Sequence, residues 1–350
     1  MNVRFRGIVV ALAAAVGLVS LVSMRTAAQG QQGRQGGAGA AQQANAPKPW
    51  APGEPLWSDE KRGKTVPAPG GGVARSGCPE DIGPLFEQCA QERMKTFDPP
   101  RTEDGRPSFR GYWARSLQSM TLETRGPDHP ERRHSNGSRT HAIIDPPDGM
   151  FPYQPWAKAQ AEENFKLYVD PLSMLYPPGA HRFPYISSGG YLFLQPRGRE
   201  EIVFLMEEIH LTHVVPTDGR PHISPRIKLY EGDWVGRWDG NTLVIDITNN
   251  NGETAYDQAM DFLSDAAHIV QRWTLIDPDV IHVQTTIEDP KVFTQPMKYS
   301  LAIVRLQWAC PECNEIFEES SFEGDRDLPT MFKTHTRYPG WNGLPAARGK

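Results

Sequence analysis

The chain is predicted to be mainly β, an antiparallel meander that closes into a barrel and carries one or two short helices. Three observations predict this. From Gly189 onward, strand-like apolar runs follow one another at short spacing. The segments between them, PRGRE, DGN and DPD, carry the Gly, Asp and Pro of tight turns. Long helical periodicity is nearly absent, and a meander with so little helix manages its sheet edges by closing into a barrel or a sandwich.

Taken in order, YLFLQ and EIVFLMEEIHLTHVV are predicted as two strands joined by PRGRE. WVGRW and TLVIDIT form a second hairpin, with Asp239 and Gly240 in a turn that tolerates positive φ. IVQRWTLI and VIHVQTTIE form a third, and KYSLAIVRLQWA with NEIFEESSF a fourth. A helix is predicted over Gln154–Tyr168, where good helix formers follow the Pro-rich DPPDGMFPY, and a weaker one over AYDQAMDFLSDAAH from Ala255. About 240 residues from Thr102 onward suffice for one large β domain, and a barrel of about eight to ten strands fits that length.

The N-terminus has a different character. MNVRFRG, IVVALAAAVGLVSLV and SMRTAAQ make a basic, then apolar, then small-residue series with a cut after Ala28, the pattern of a secretory signal over residues 1–28. The apolar run is shorter than the roughly 20 residues that span a bilayer, so no integral membrane segment is expected after cleavage. Removing Arg4, Arg6 and Arg25, three of the 37 basic residues, leaves 34 against 42 acids. That acidic balance argues against nucleic acid or anionic membranes as the main partner. Residues 29–101 read as a Gln-, Gly-, Ala- and Pro-rich tether that includes a Cys78/Cys89 segment, 102–340 as the barrel domain and 341–350 as a flexible tail.

Four cysteines in an exported chain point to disulfides. Local pairing, Cys78 with Cys89 and Cys310 with Cys313, is the simplest of three connectivities. A redox dithiol or half a zinc site are alternatives for Cys310–Pro–Glu–Cys313. The pair follows a strand rather than opening a helix, and no second C-x-x-C accompanies it.

The candidate site is EEIHLTHVVPTDGRPH at 207–222. If it runs on as a strand, Glu207, Ile209, Leu211 and His213 share one face and Glu208, His210 and Thr212 the other. His210 and His213 then cannot chelate one ion, and no metal is expected. Glu207 and His213 lie about 20 Å apart along an extended chain, whereas Glu208 and His210 are about 7 Å apart on one face. A carboxylate beside an imidazole is the pairing acid–base catalysis needs, although single Glu and His residues more often decorate a solvent face. Glu207, His210 and His213 are the catalytic candidates. Asp218, Gly219 and Arg220 form a turn whose arginine offers a fork to an anionic ligand, or pairs with Asp233 or Asp239. Trp234, Gly236 and Trp238 share a face, and together with Glu208, Asp218 and Arg220 the two indoles are the ligand-binding candidates, with Gly236 leaving room for a flat molecule. Trp273 and Trp308 also fall in strand-like segments. G-x-S-x-G, P-loop, dinucleotide-binding, H-E-x-x-H and haem-attachment motifs are absent, and no cofactor is expected.

RTHAIIDPPDGMFP, the Gln195–Pro196 strand end, EEIHLTHVVPTDGRPH, GDWVGRWDGNTLVIDITN, HIVQRWTLIDPD, TIEDPKVFTQPM and WACPECN together resemble a largely uncharacterised group of exported proteins abundant in soil bacteria such as acidobacteria. The matching pieces span most of residues 138–314, and GDWVGRWDGNTLVIDIT is the most specific. FRGYW supplies Gly111 and Trp113, a Gly-x-Trp similar to the lipocalin-like signature in which a tryptophan plugs the closed end of a barrel. The chain departs from the group at His213, where Arg is usual, at Cys313, where Gly is usual, and near Leu175, where a Cys is usual. These departures imply that Cys313 is a local replacement partner for Cys310. The resemblance implies a lipocalin-like barrel and no particular reaction.

The sequence thus supports an exported, periplasmic or extracellular barrel that binds a small apolar or aromatic molecule in its interior, with Glu207, His210, His213 and Arg220 at the polar end. The competing expectation is a cofactor-free acid–base enzyme of hydratase, lyase or isomerase type on the same scaffold. A third is an assembly protein tethered through residues 29–75.

Overall fold

The computed structural model describes residues 77–80, 83–115, 122, 142–167, 172, 177–186, 190–254 and 260–306. The predicted signal, most of the predicted tether, Cys310, Cys313, Trp308, the strand predicted over NEIFEESSF and the predicted tail lie outside them.

The first three predicted hairpins are present, and of the fourth its first strand. β1 (Gly111–Arg115), β2 (Ile143–Asp145), β3 (Tyr191–Leu194), β4 (Glu201–Met206), β5 (Thr212–Pro216), β6 (Asp233–Asp239), β7 (Thr242–Thr248), β8 (His268–Asp277), β9 (Val280–Glu288) and β10 (Met297–Arg305) pair antiparallel throughout. Nine of them form one sheet in the order β5-β4-β3-β1-β10-β9-β8-β7-β6, and β2 pairs with β10. β5 and β6, the two ends of that order, come into contact without a backbone ladder, so the barrel is nearly closed. Gly240 turns the β6–β7 hairpin at φ +58°, as its Asp-Gly turn requires.

Alternation decides what faces inward. Tyr191 and Phe193 of β3, Ile202, Phe204 and Met206 of β4, Leu243, Ile245 and Ile247 of β7, and Trp273 of β8 are buried in one core. Trp113 is fully buried as the Gly-x-Trp pattern anticipates, its indole N–H donating to the Phe109 carbonyl at 2.6 Å. The Arg305 guanidinium lies 3.7 Å from its ring centroid and donates to the Arg110 carbonyl at 2.8 Å. A side chain at Gly111 would meet that guanidinium at 2.6 Å, so glycine keeps the cation over the ring.

The interior is not an open cavity at its centre. Residues 177–186 enter it, ending in α3, the single helical turn Phe183–Ile186. Its backbone is held by inward-pointing side chains: Gln271 donates to the Ala180 carbonyl at 3.1 Å, Tyr299 to that of His181 at 2.6 Å and Tyr191 to that of Phe183 at 2.9 Å. Phe183 then contacts Tyr191, Phe204, His213, Trp234 and Trp273. The chain fills its own barrel with this segment.

Two other expectations are corrected. The EIVFLMEEIHLTHVV strand is broken: Ile209 and His210 have φ of 64° and 53°, and a 3-10 turn over Glu208–His210 reverses the chain between β4 and β5. The weaker helix from Ala255 does not form over 260–267, where the Asp289 carboxylate accepts from the Ser264 N–H at 2.6 Å and its hydroxyl at 2.7 Å. That bonding holds a loop. The other predicted helix is α2, Pro155–Leu167.

The boundary expected at Thr102 falls inside a packed unit. Cys78 and Cys89 form a disulfide, and Cys89 belongs to α1 (Gly83–Met94), which lays Phe86 and Ala90 on Ile276, Val280 and Ala302. Glu87 accepts from Gln284 at 2.6 Å and lies 2.6 Å from the His282 Nε2. Burial opposes ionisation of that carboxyl, but His282 and its other hydrogen-bond donors hold it down at about 2. Helix α1 therefore covers the outer face of β8, β9 and β10, which explains their nearly continuous burial.

Candidate functional site: the seam between β5 and β6

At one end of the seam the two strands touch. A Cβ on Gly236 would meet Val215 and Thr217 side chains at 3.0 Å and the Pro216 carbonyl at 3.3 Å. The glycine is where β6 closes onto β5, not a space for a flat ligand. Trp234 and Trp238 do share its inward face, with Trp238 stacked on Phe109 at 5.7 Å.

Elsewhere along the seam the strands part around a cleft of about 320 Å³. Thr212, His213 and Val214 line it from β5, Arg220, Pro221 and Ile223 from the connecting loop, and Asp233, Trp234 and Val235 from β6. His213 is buried and stacked on Trp234, ring centroids 4.0 Å apart at 17°, with Phe183 edge-on at 5.2 Å. Its Nε2 stands 3.8 Å from the Oε2 of Glu231, a distance beyond hydrogen bonding. Both atoms are buried, and neither has any hydrogen-bond partner.

Glu231 is held in place through its other atoms. Its Oε1 accepts from the Gly179 N–H at 2.9 Å, and its carbonyl accepts from the Trp234 indole at 2.7 Å. Burial pushes its carboxyl up to about 7, against the opposing pull of the Gly179 bond and the Arg182 charge. Burial also pushes the His213 imidazole down to about 3, so at neutral pH it is uncharged. A neutral imidazole thus faces a carboxyl that titrates near neutrality, in a shell of aromatic rings.

The loop forming the cleft wall is clasped to the sheet. His222 places Nδ1 2.7 Å from Asp233 Oδ2 and Nε2 3.1 Å from Asp246 Oδ1, and His268 places its Nε2 3.0 Å from that same Asp246 oxygen. Asn249 adds hydrogen bonds to the Ile223 and Ser224 carbonyls at 3.3 and 3.0 Å.

The predicted residues are dispersed by the turn at 208–210. Glu207 braces the hairpin, its Oε2 accepting from Gly190 N–H at 3.0 Å while its own N–H donates to the Gly190 carbonyl at 2.9 Å. His210 is exposed at the turn, and His213 points inward. Glu208 is the first residue of that turn. Asp218 and Arg220 pair with each other, Nε to Oδ1 at 2.9 Å and Nη2 to Oδ2 at 2.6 Å, which commits the arginine fork. Arg220 therefore does not pair with Asp233 or Asp239, and Arg272 takes Asp239 at 2.9 Å. Among the described residues, no three His, Cys, Asp or Glu side chains are arranged to hold a metal ion, and no helix is long and apolar enough to cross a membrane.

Glu231 was invisible in the sequence because KLYEGDW reads as turn chemistry. His222 and Asp246 were legible in principle. Asp233, Asp246 and His268 fall on one outward face once β6, β7 and β8 are placed in register.

No family model matches the chain, and no curated protein does. Among solved structures the chain is similar to secretory abundant heat soluble protein 4 from Ramazzottius varieornatus, at 10% identity over 40% of this chain and 88% of that one, with a TM-score of 0.22. A likeness that slight bears on neither fold nor function.

Proposed function

We propose that the chain is an exported barrel that binds a small, largely apolar or aromatic molecule, and that the ligand sits in the cleft between β5 and β6. The observation that carries the reading is a cleft of about 320 Å³ that has the buried His213–Trp234 stack among its lining residues. Concave sites of this size are where small ligands bind, and this one sets Val214, Pro221 and Ile223 beside the polar Thr212, Arg220 and Asp233. The barrel centre is the weaker choice because Phe183 and its segment already fill it. The Cys78–Cys89 disulfide is compatible with an oxidising compartment, as is the signal-like N-terminus.

A second reading, acid–base catalysis without a cofactor, is favoured by one observation: the carboxyl of Glu231 titrates near neutrality beside an uncharged imidazole. On that reading the pair is His213 with Glu231 rather than His210 with Glu207 or Glu208.

Native mass spectrometry of the mature protein tests the first reading. The wild type is expected to retain a small organic molecule. Thr212→Trp, a substitution at an exposed cleft position, is expected to lose it while melting normally. Retention of the same molecule by the blocked variant would exclude the cleft.

A further inference from the structure

Taking the cleft as the ligand site, we infer that the His213–Glu231 pair is a receptor for the hydroxyl of an uncharged, planar, phenol-type ligand. The argument starts from the 3.8 Å between Nε2 and Oε2. It is too long for a direct hydrogen bond, yet a single oxygen set to one side lies about 2.8 Å from both atoms. Neither atom has a partner in the protein, and buried polar atoms left in that condition are costly. An oxygen placed between them satisfies both at once.

That oxygen has to donate as well as accept. A neutral imidazole presents either a lone pair or an N–H at Nε2, and a carboxyl titrating near neutrality alternates between donor and acceptor. A hydroxyl matches three of the four combinations by rotating its proton, all but a bare Nε2 lone pair facing an ionised carboxylate, where its one proton serves only one of the two atoms. A ligand anion beside Glu231 would add a second negative charge to a buried site, and a ligand cation would have to leave water beside Arg182, itself buried. The uncharged ligand is the one these surroundings accept.

Planarity follows from the walls. His213 reaches from the cleft lining to Glu231, and the Trp234 indole covers one face of its ring. Val214, Pro221 and Ile223 offer apolar contact to the rest of the ligand on the open side. A flat ring with one hydroxyl meets those three side chains along its length and the pair at its oxygen, in a cleft that also carries Thr212, Arg220 and Asp233.

Matched probes test this: p-cresol and toluene differ by one hydroxyl. Calorimetric titration of the full chain at neutral pH is expected to show p-cresol binding at least about tenfold more tightly, the effect of one hydroxyl hydrogen-bonded in a desolvated site. In His213→Phe, which keeps a flat ring on Trp234, toluene affinity should be unchanged and the preference for p-cresol lost. Because a core variant can fail to fold, the wild type supplies a second readout. In spectra of ¹⁵N-labelled histidine, p-cresol is expected to shift the His213 Nε2 resonance and toluene to leave it in place. Equal affinities, or the same response of that nitrogen to both probes, would show that only water occupies the pair and would overturn the inference with the cleft intact. If neither probe binds, the cleft reading itself falls.

Discussion

Glu231 carries a carboxyl into the same apolar shell as Phe183 and Trp234, and the free energy of that placement depends on pH. Unfolded, the group titrates near 4.5; folded, it holds its proton up to about 7. The folded state therefore binds more protons between those values, and its stability falls as pH rises through them. Above pH 7 the deficit is on the order of 3 kcal/mol, the free energy of moving the carboxyl from 4.5 to about 7. Gln at this position keeps an acceptor for the Gly179 N–H and removes the ionisation. Glu231→Gln is thus expected to raise the melting temperature by several degrees at pH 8 and to change it little at pH 5, where Glu231 is already protonated. Thermal melts at the two pH values check this, and equal shifts at both would show that the carboxyl is not buried as described. His213 acts in the opposite direction: held near 3 rather than 6.5, it refuses a proton that the unfolded chain accepts, so its contribution is lost as pH falls below 6.5.

At the scale of elements, the seam depends on a missing side chain. The Pro216 carbonyl, Val215 and Thr217 all approach the place where a Gly236 Cβ would stand. Any larger residue there must push β5 from β6, a junction without a ladder to resist it. Gly236→Leu is expected to destabilise the fold by about 1–3 kcal/mol through overpacking, detectable as a lower denaturation midpoint with an unchanged slope. Room for a flat ligand at Gly236, the expectation from sequence, would instead mean lost binding with intact folding, so a normal midpoint would restore that view. The difference comes from closure, which joins strands distant in the chain. Turn chemistry is local, so the hairpins built on PRGRE, DGN and DPD were legible. The break at Ile209 and His210 was not, because both adopt left-handed backbone without the glycine that usually announces it. That single misreading displaced every parity argument for Glu207, Glu208 and His210, while His213, on the far side of the turn, still faces inward.

The whole molecule is a barrel organised around a segment with no periodic signature. PPGAHRFPYI reads as a loop, yet its carbonyls accept from Gln271, Tyr299 and Tyr191, and its phenylalanine meets rings from β3, β4, β5, β6 and β8. The same holds for α1, hidden among Pro and Gly, whose burial needs the outer face of β8–β10. Local pattern reveals the wall of such a fold; what fills and covers it depends on contacts between remote positions. Phe183 is the point where those contacts converge. Phe183→Ala is expected to cost about 3–5 kcal/mol, because the rigid strands around it cannot collapse into the space. The vacated volume is lined by Tyr191, Phe204, Trp234 and Trp273, and an apolar void of that kind stays dry and admits benzene-sized molecules. Denaturant unfolding should show the loss, and saturating benzene should restore part of it in the variant while leaving the wild type unaffected. A loss below about 1 kcal/mol would mean that residues 177–186 rest on the barrel without filling it.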